Sequence, residues 1–283
     1  MKVVVTGASG QLGTDVVRSW TVAGDTVLGL DRPGLDITDR NAVLHLLTRD
    51  RPDVVVNCAA WTAVDACEGD PERAHQVNAD AVAHLAEGCA AAGARLLQIS
   101  TDYVFDGTKA EPYVESDATN PQSVYGQSKL AGEATALTLG DRAAVVRTSW
   151  VCGEHGANMV KTILRLAATQ PQLAFVADQV GHPTFTADLA PLLRRIAVAE
   201  LSGVIHATNQ GAVSWFEFAQ AVVAASGRDP AMVSPISTAD LQPPRPAPRP
   251  ANSVLDNAAM RAAGMDLLRD FHAPLAELVD RLG

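Results

Sequence analysis

The chain has 283 residues, 47% of them hydrophobic and 19% charged, with a net charge of −10. This excludes a disulfide-stapled miniprotein and a disordered chain, and it argues against non-specific attraction to nucleic acid or an anionic membrane. No apolar run reaches the ~18–20 residues needed to cross a bilayer, and Met1-Lys2 leads directly into an apolar strand without an export signal, so a cytoplasmic protein is expected.

Short β-branched runs predict strands at Lys2–Thr6, Thr26–Leu30, Asp53–Cys58, Arg95–Ser100 and Ala143–Thr148. Segments of helical period, Gln11–Ala23, Arg40–Asp50, Pro71–Ala92 and Val124–Leu139, alternate with them. That alternation predicts an α/β fold, a Rossmann-type doubly wound parallel sheet over residues 1–150. Beyond residue 150 it lapses into Pro, Gly and isolated helices at Ala187–Ala199 and Trp215–Ser226. Residues 151–283 are therefore expected to form mainly a smaller C-terminal α/β substrate-binding domain, with segments returning to the first. Five prolines in residues 242–250 make that stretch an extended loop. The apolar positions Leu275, Leu278, Val279 and Leu282 beyond it are expected to pack back on the body.

Directly after the first strand, Thr6-Gly7-Ala8-Ser9-Gly10-Gln11-Leu12-Gly13 opens a helix. Gly7 permits the tight strand exit, Gly10 clears the approach of a pyrophosphate to the backbone, and Gly13 allows close helix–strand packing. The helix N-terminus offers free N–H groups to the phosphates. At the end of the second strand stand Asp31, suited to a ribose hydroxyl, and Arg32, suited to a 2′-phosphate, so either NADH or NADPH is expected as cofactor.

The fourth strand ends at Ser100-Thr101-Asp102-Tyr103, and the following helix carries Tyr125-Gly126-Gln127-Ser128-Lys129. Residues four apart share a helical face, which is expected to bring the Lys129 ammonium near the Tyr125 phenol and favour its phenolate. Tyr125 then serves as acid or base, and Thr101 offers a hydroxyl to a carbonyl or alcohol oxygen. Cys58, Cys67, Cys89 and Cys152 have no metal-site spacing, the carboxylates are scattered, and no metal is expected.

A glycine turn, an acidic second-strand end, Ser-Thr at a later strand end and YxxxK, in that order, resemble the extended short-chain dehydrogenase/reductase superfamily, in its sugar-nucleotide branch. Asp36-Ile37-Thr38-Asp39, Val56-Asn57-Cys58-Ala59-Ala60, Arg147-Thr148-Ser149-Trp150, Asp178 to Thr184, Ser214 to Ala219 and Arg249-Pro250-Ala251-Asn252-Ser253 extend the likeness over nearly the full chain. The sequence resembles the dTDP-4-dehydrorhamnose reductase family. That resemblance implies NADPH- or NADH-dependent reduction of the C4 ketone of a dTDP-4-keto-6-deoxy sugar, dTDP-4-dehydro-L-rhamnose or a relative, by a monomer or homodimer. It implies that Gly7, Gly10, Gln11, Leu12 and Gly13 hold the pyrophosphate, that Asp36 and Ile37 flank the adenine, and that Ala59 and Ala60 border the nicotinamide half. Lys129 would also bond the nicotinamide ribose. Thr101, Asp102, Tyr103 and Trp150 would line the sugar pocket, with Arg249 and Asn252 near the nucleotide end.

Two other readings fit parts of the pattern. One is a sugar-nucleotide dehydratase or epimerase of the same superfamily, whose dehydratases carry an acidic residue after Asp102, where this chain has Tyr103. A non-catalytic dinucleotide-binding regulatory subunit would not need Thr101, Tyr125 and Lys129 together. Trp61, Ala66, Cys67 and Cys152 depart from the family's usual residues and bear on the identity of the sugar.

Overall fold

The computed structural model describes residues 1–283. In the first half β1 (Lys2–Thr6), α1 (Gln11–Val22), β2 (Thr26–Leu30), α2 (Arg40–Asp50), β3 (Val54–Asn57), α3 (Ala81–Ala92), β4 (Arg95–Thr101), α4 (Val124–Ala136) and β5 (Ala143–Thr148) alternate. The second half contributes α5 (Met159–Thr169), α6 (Thr186–Val198), β6 (Gly203–His206), α7 (Trp215–Ala225) and α8 (His272–Leu282). Six strands pair in the order β6-β5-β4-β3-β1-β2, all parallel. From β1 the chain crosses to β2 on one side and then to β3 on the other. A crevice therefore opens at their carboxyl ends, where ligands of doubly wound sheets bind.

Side chains of a strand alternate between faces, and the valine runs of β1 and β3 use both. Val3, Val5, Val54 and Val56 face α1 and α6, together with Trp20, Leu189 and Leu193, while Val4 and Val55 face α2 and α3 with Leu47 and Leu85. Trp20 Nε1 donates to the Ala190 carbonyl at 2.9 Å, fastening α6 to α1. Thus α6 and β6, both from beyond residue 150, complete the central sheet and its cover. A third apolar cluster joins α5, α7 and α8 beside a parallel pair, Leu173–Val176 with Val233–Ile236. Leu275, Leu278 and Val279 are buried there, with Leu282 partly so. No helix is long and apolar enough to cross a membrane.

Two helices depart from the sequence expectation. Pro71–Ala92 is interrupted by a π turn at Gln76–Asp80. Within it Asn78 accepts from Trp61 N–H at 2.8 Å and donates to the Trp61 carbonyl and Ser128 Oγ at 3.1 and 3.0 Å, while its own carbonyl sits where a Cβ on Gly132 would lie 2.1 Å away. These contacts lock the exit of β3 to α4. The other helix ends at Ala136 rather than Leu139, running into a tighter turn at Leu137–Arg142, where Gly140 takes φ 60°.

Candidate active site

Two clefts meet at the carboxyl ends of the strands and share Gly10, Cys58, Ala59 and Ala60. The larger, about 740 Å³, is lined by Gly7, Asp31, Arg32, Asp36 and Ile37, and faces Arg73 and Val77. The smaller, about 430 Å³, carries Gln11, Leu12, Thr101, Asp102, Tyr103, Tyr125, Lys129 and Trp150. An elongated ligand can lie across both.

The glycine turn is built for close backbone approach. Gly7 has φ +66°, and a Cβ there would meet Ala59 N at 2.7 Å. Gly13 lines neither cleft, and a Cβ on it would come within 2.1 Å of the Gly7 carbonyl oxygen, so its role is to seat α1 on β1. No side chain caps the N-terminus of α1, which leaves its first N–H groups and its positive dipole end open to an anion. At the far end of the large cleft Arg32 is mostly exposed and reaches Asp36 at 3.2 Å. Asp36 also accepts from the Thr38 hydroxyl and N–H, and these two bonds hold its carboxyl below the usual range.

On the small cleft, Tyr125 and Lys129 project from α4, whose N-terminus is capped by Ser123. Burial pushes the Tyr125 phenol well above its ordinary range, Thr101 favours the phenolate, and Asp102, Tyr103 and Cys67 oppose it. The ammonium donates to the Ile99 carbonyl at 2.7 Å, a contact that sequence spacing does not reveal. Burial lowers Lys129 to about 8, against the pull of Glu133 one turn further along the helix.

Trp150 follows β5 with φ 45° and stacks on Trp215 at 3.6 Å between centroids. A bulky residue held in the left-handed region costs on the order of 1–3 kcal/mol and persists where its surroundings impose it. Here Trp215 and Gly181, whose missing Cβ would lie 2.8 Å from the Trp150 ring, impose it. Arg249 lines neither cleft. Both its terminal nitrogens engage the Asp65 carboxylate, which this ion pair holds below its usual range. Asn252 also stands outside both clefts, donating to the Lys109 carbonyl at 2.8 Å and accepting from Val254 N–H at 3.0 Å.

A family model described as RmlD substrate binding domain matches residues 1–283. The chain belongs to the dTDP-4-dehydrorhamnose reductase family. It is 46% identical over 280 residues to the dTDP-4-dehydrorhamnose reductase of Streptomyces griseus, covering 97% of this chain and 91% of that protein. The crystal structure of a dTDP-4-dehydrorhamnose reductase from Clostridium acetobutylicum superposes with a TM-score of 0.96 at 41% identity, over 100% of this chain and 99% of that one. The Bacillus anthracis enzyme, solved in complex with NADP, gives a TM-score of 0.92 at 35% identity, over 99% and 98% of the two chains.

Within this family member, several residues in or beside the clefts escape sequence reading. Trp215 reaches the small cleft from α7, and Arg73 stacks its guanidinium 4.5 Å from the Trp61 ring beside the large one. Asp65 orders Arg249 from 184 residues away. Trp215 falls in a stretch that carries the family likeness, but the sequence gives no sign of its place in the cleft, and the partners of Arg73 and Asp65 come from other segments.

Proposed function

We propose that this chain reduces the C4 ketone of a dTDP-4-keto-6-deoxy sugar, dTDP-4-dehydro-L-rhamnose or a close relative, using NADPH or NADH. The observation that carries the reading is the joined cleft, which has an anion-accepting glycine turn beside one lobe and Thr101, Tyr125 and Lys129 on the wall of the other. The uncapped helix, the side-chain-free approach at Gly7 and Gly10, and the Asp31–Arg32 edge suit a dinucleotide. A bound reduced nicotinamide supplies the hydride.

The chain's residues then have these parts. Gly7, Gly10, Gln11 and Leu12 hold the pyrophosphate, with Gly13 seating the helix. Asp31, Arg32, Asp36 and Ile37 receive the adenosine, and Ala59 and Ala60 line the passage to the second lobe. Lys129, anchored on Ile99 O, holds the nicotinamide ribose. Tyr125 is a neutral phenol and gives its proton to the oxygen that was the ketone, since an alkoxide is a much stronger base than a phenolate. Thr101 hydrogen-bonds the same oxygen as charge develops on it. Asp102, Tyr103 and Trp150 enclose the sugar. Arg249 shapes the nucleotide end by fixing Asp65 and standing beside Tyr103, and Asn252 supports that end by ordering the loop at residues 109–111.

Elimination of water from a dTDP-hexose needs a base beside Asp102. Burial drives the Tyr103 phenol up to about 12, so it is a poor base at neutral pH. Incubation with NADPH and a dTDP-4-keto-6-deoxy sugar should oxidise the cofactor, and dTDP-glucose with NAD should give no 4-keto product. The reverse pair of results would remove the reductase reading.

Arg32 has one exposed carboxylate partner and is free to turn onto a 2′-phosphate. Arg32→Ala should weaken NADPH about tenfold more than NADH, a charge-assisted contact discounted for exposure. Titration of each cofactor against intrinsic tryptophan fluorescence checks this, and equal losses would place Arg32 away from the phosphate.

A further inference from the structure

Asp102 is 1% exposed, and its buried Oδ2 has no partner in full hydrogen-bond geometry, although the Ser253 hydroxyl faces the carboxyl. Its Oδ1 lies 2.8 Å from Thr101 Oγ1, which also accepts the Tyr103 N–H at 3.2 Å. A hydroxyl has one proton and two lone pairs, and the Tyr103 amide already occupies one of the lone pairs. An ionised Asp102 is acceptor-only, so it would take the Thr101 proton. Thr101 would then present a lone pair to a ketone oxygen that has only lone pairs of its own. A neutral Asp102 with its proton on Oδ1 reverses the direction. It fills the second lone pair of Thr101 and leaves the Thr101 proton for the cleft. The remaining Oδ2 is then a carbonyl oxygen, which tolerates the lack of a partner better than half of a carboxylate does.

We propose that Asp102 works as a neutral acid that donates to Thr101 and so turns the Thr101 hydroxyl toward the substrate's ketone oxygen. Asp102 is thereby a positioning residue, and the inference rests on the reductase reading above. Its surroundings move it toward the neutral form, which dominates below about pH 6. Burial is the largest influence and raises its carboxyl to about 6, while the Ser253 and Thr101 hydroxyls and two backbone N–H groups pull the other way. The titratable groups facing it are the phenols of Tyr103, on its own turn, and Tyr125, from α4, and burial keeps both uncharged at neutral pH. Lys129 is engaged by Ile99 O and Arg249 by Asp65. Substrate entering the cleft removes more water and shifts the balance further toward the acid.

The test compares kcat against pH for the wild type and Asp102→Asn, whose amide can donate to Thr101 at every pH. The wild type should lose about tenfold in kcat per pH unit once Asp102 ionises, with little change in KM. Asp102→Asn should lack that limb, its kcat staying within about twofold across the same interval. Persistence of the limb in the variant overturns the proposal. Should Asp102→Asn not fold, the limb is sought in Thr101→Val, where it must vanish because no hydroxyl remains to be turned. Infrared spectra of the NADPH-bound protein at pH 5 supply a readout that needs no turnover. A protonated-carboxyl band in the difference spectrum of wild type minus Asp102→Asn, beyond what the solvated carboxyls give in both, supports the proposal, and a difference spectrum without it overturns the proposal. Failure of the wild type to oxidise NADPH with the keto sugar would instead strike the reductase reading, and the infrared result stands apart from it.

Discussion

Tyr125→Phe is expected to lower kcat by at least ~100-fold, the scale of a lost general acid, while cofactor affinity stays nearly intact. The expectation follows from what the substitution leaves in place. The ring packs edge-on against Tyr103, with centroids 5.6 Å apart, and against Cys67 and Ala74, and phenylalanine keeps all of those contacts. Only the hydroxyl is removed, and the Lys129 ammonium, which donates to Ile99 O, is not placed to take over its role. Pre-steady-state oxidation of NADPH separates hydride transfer from product release, and cofactor titration checks binding. Near-normal turnover in Tyr125→Phe would take the phenol out of the chemistry and move the proton's source to another group of the small cleft. Because burial raises the phenol, the wild type should also keep Tyr125 as a donor throughout the neutral range.

Local signals explain how much of this molecule can be read from its sequence. The turn from β1 into α1 is legible because each glycine answers a steric demand within a few residues, at Gly7 and Gly13 most sharply. Strand positions followed from valine runs buried on both faces. By contrast, β6 is four residues of ordinary composition, and its place beside β5 depends on a crossover from the second half of the chain. The π turn before α3 arises from Asn78 meeting Trp61 and Gly132, contacts between segments that helical periodicity does not register. In the site, YxxxK puts Tyr125 and Lys129 on one cleft, yet spacing alone cannot tell that the ammonium donates to a backbone carbonyl of β4. Arg249 likewise reads as a free cation in a proline loop until the fold brings Asp65 against it. Spacing identifies which groups share a face, and packing decides which of them touch.

Glu133→Ala should destabilise the protein by roughly 3–5 kcal/mol, the cost of leaving a buried charge without its partner. Glu133 lies on the same face of α4 as Tyr125 and Lys129. It accepts from Ser100 Oγ at 2.5 Å and from Arg147 Nε and Nη2 at 2.9 and 2.7 Å. Both side chains of the ion pair are almost wholly enclosed, and the Arg147 guanidinium rests 5.1 Å from the Phe105 ring. The pair therefore ties α4 to β4 and β5 directly beneath Thr101. Removing the carboxylate strands the guanidinium in a dry site where Nη1 already lacks a partner. It also frees the Ser100 hydroxyl and takes away the one negative charge that helps keep Lys129 protonated. Arg147→Met in the Glu133→Ala background should restore much of the lost stability, because the stranded charge is then gone. Urea unfolding of the two single variants and the double variant measures the coupling. Losses that simply add would mean that the two side chains hold the helix independently, whereas a double variant more stable than Glu133→Ala identifies the stranded arginine as the source of the cost.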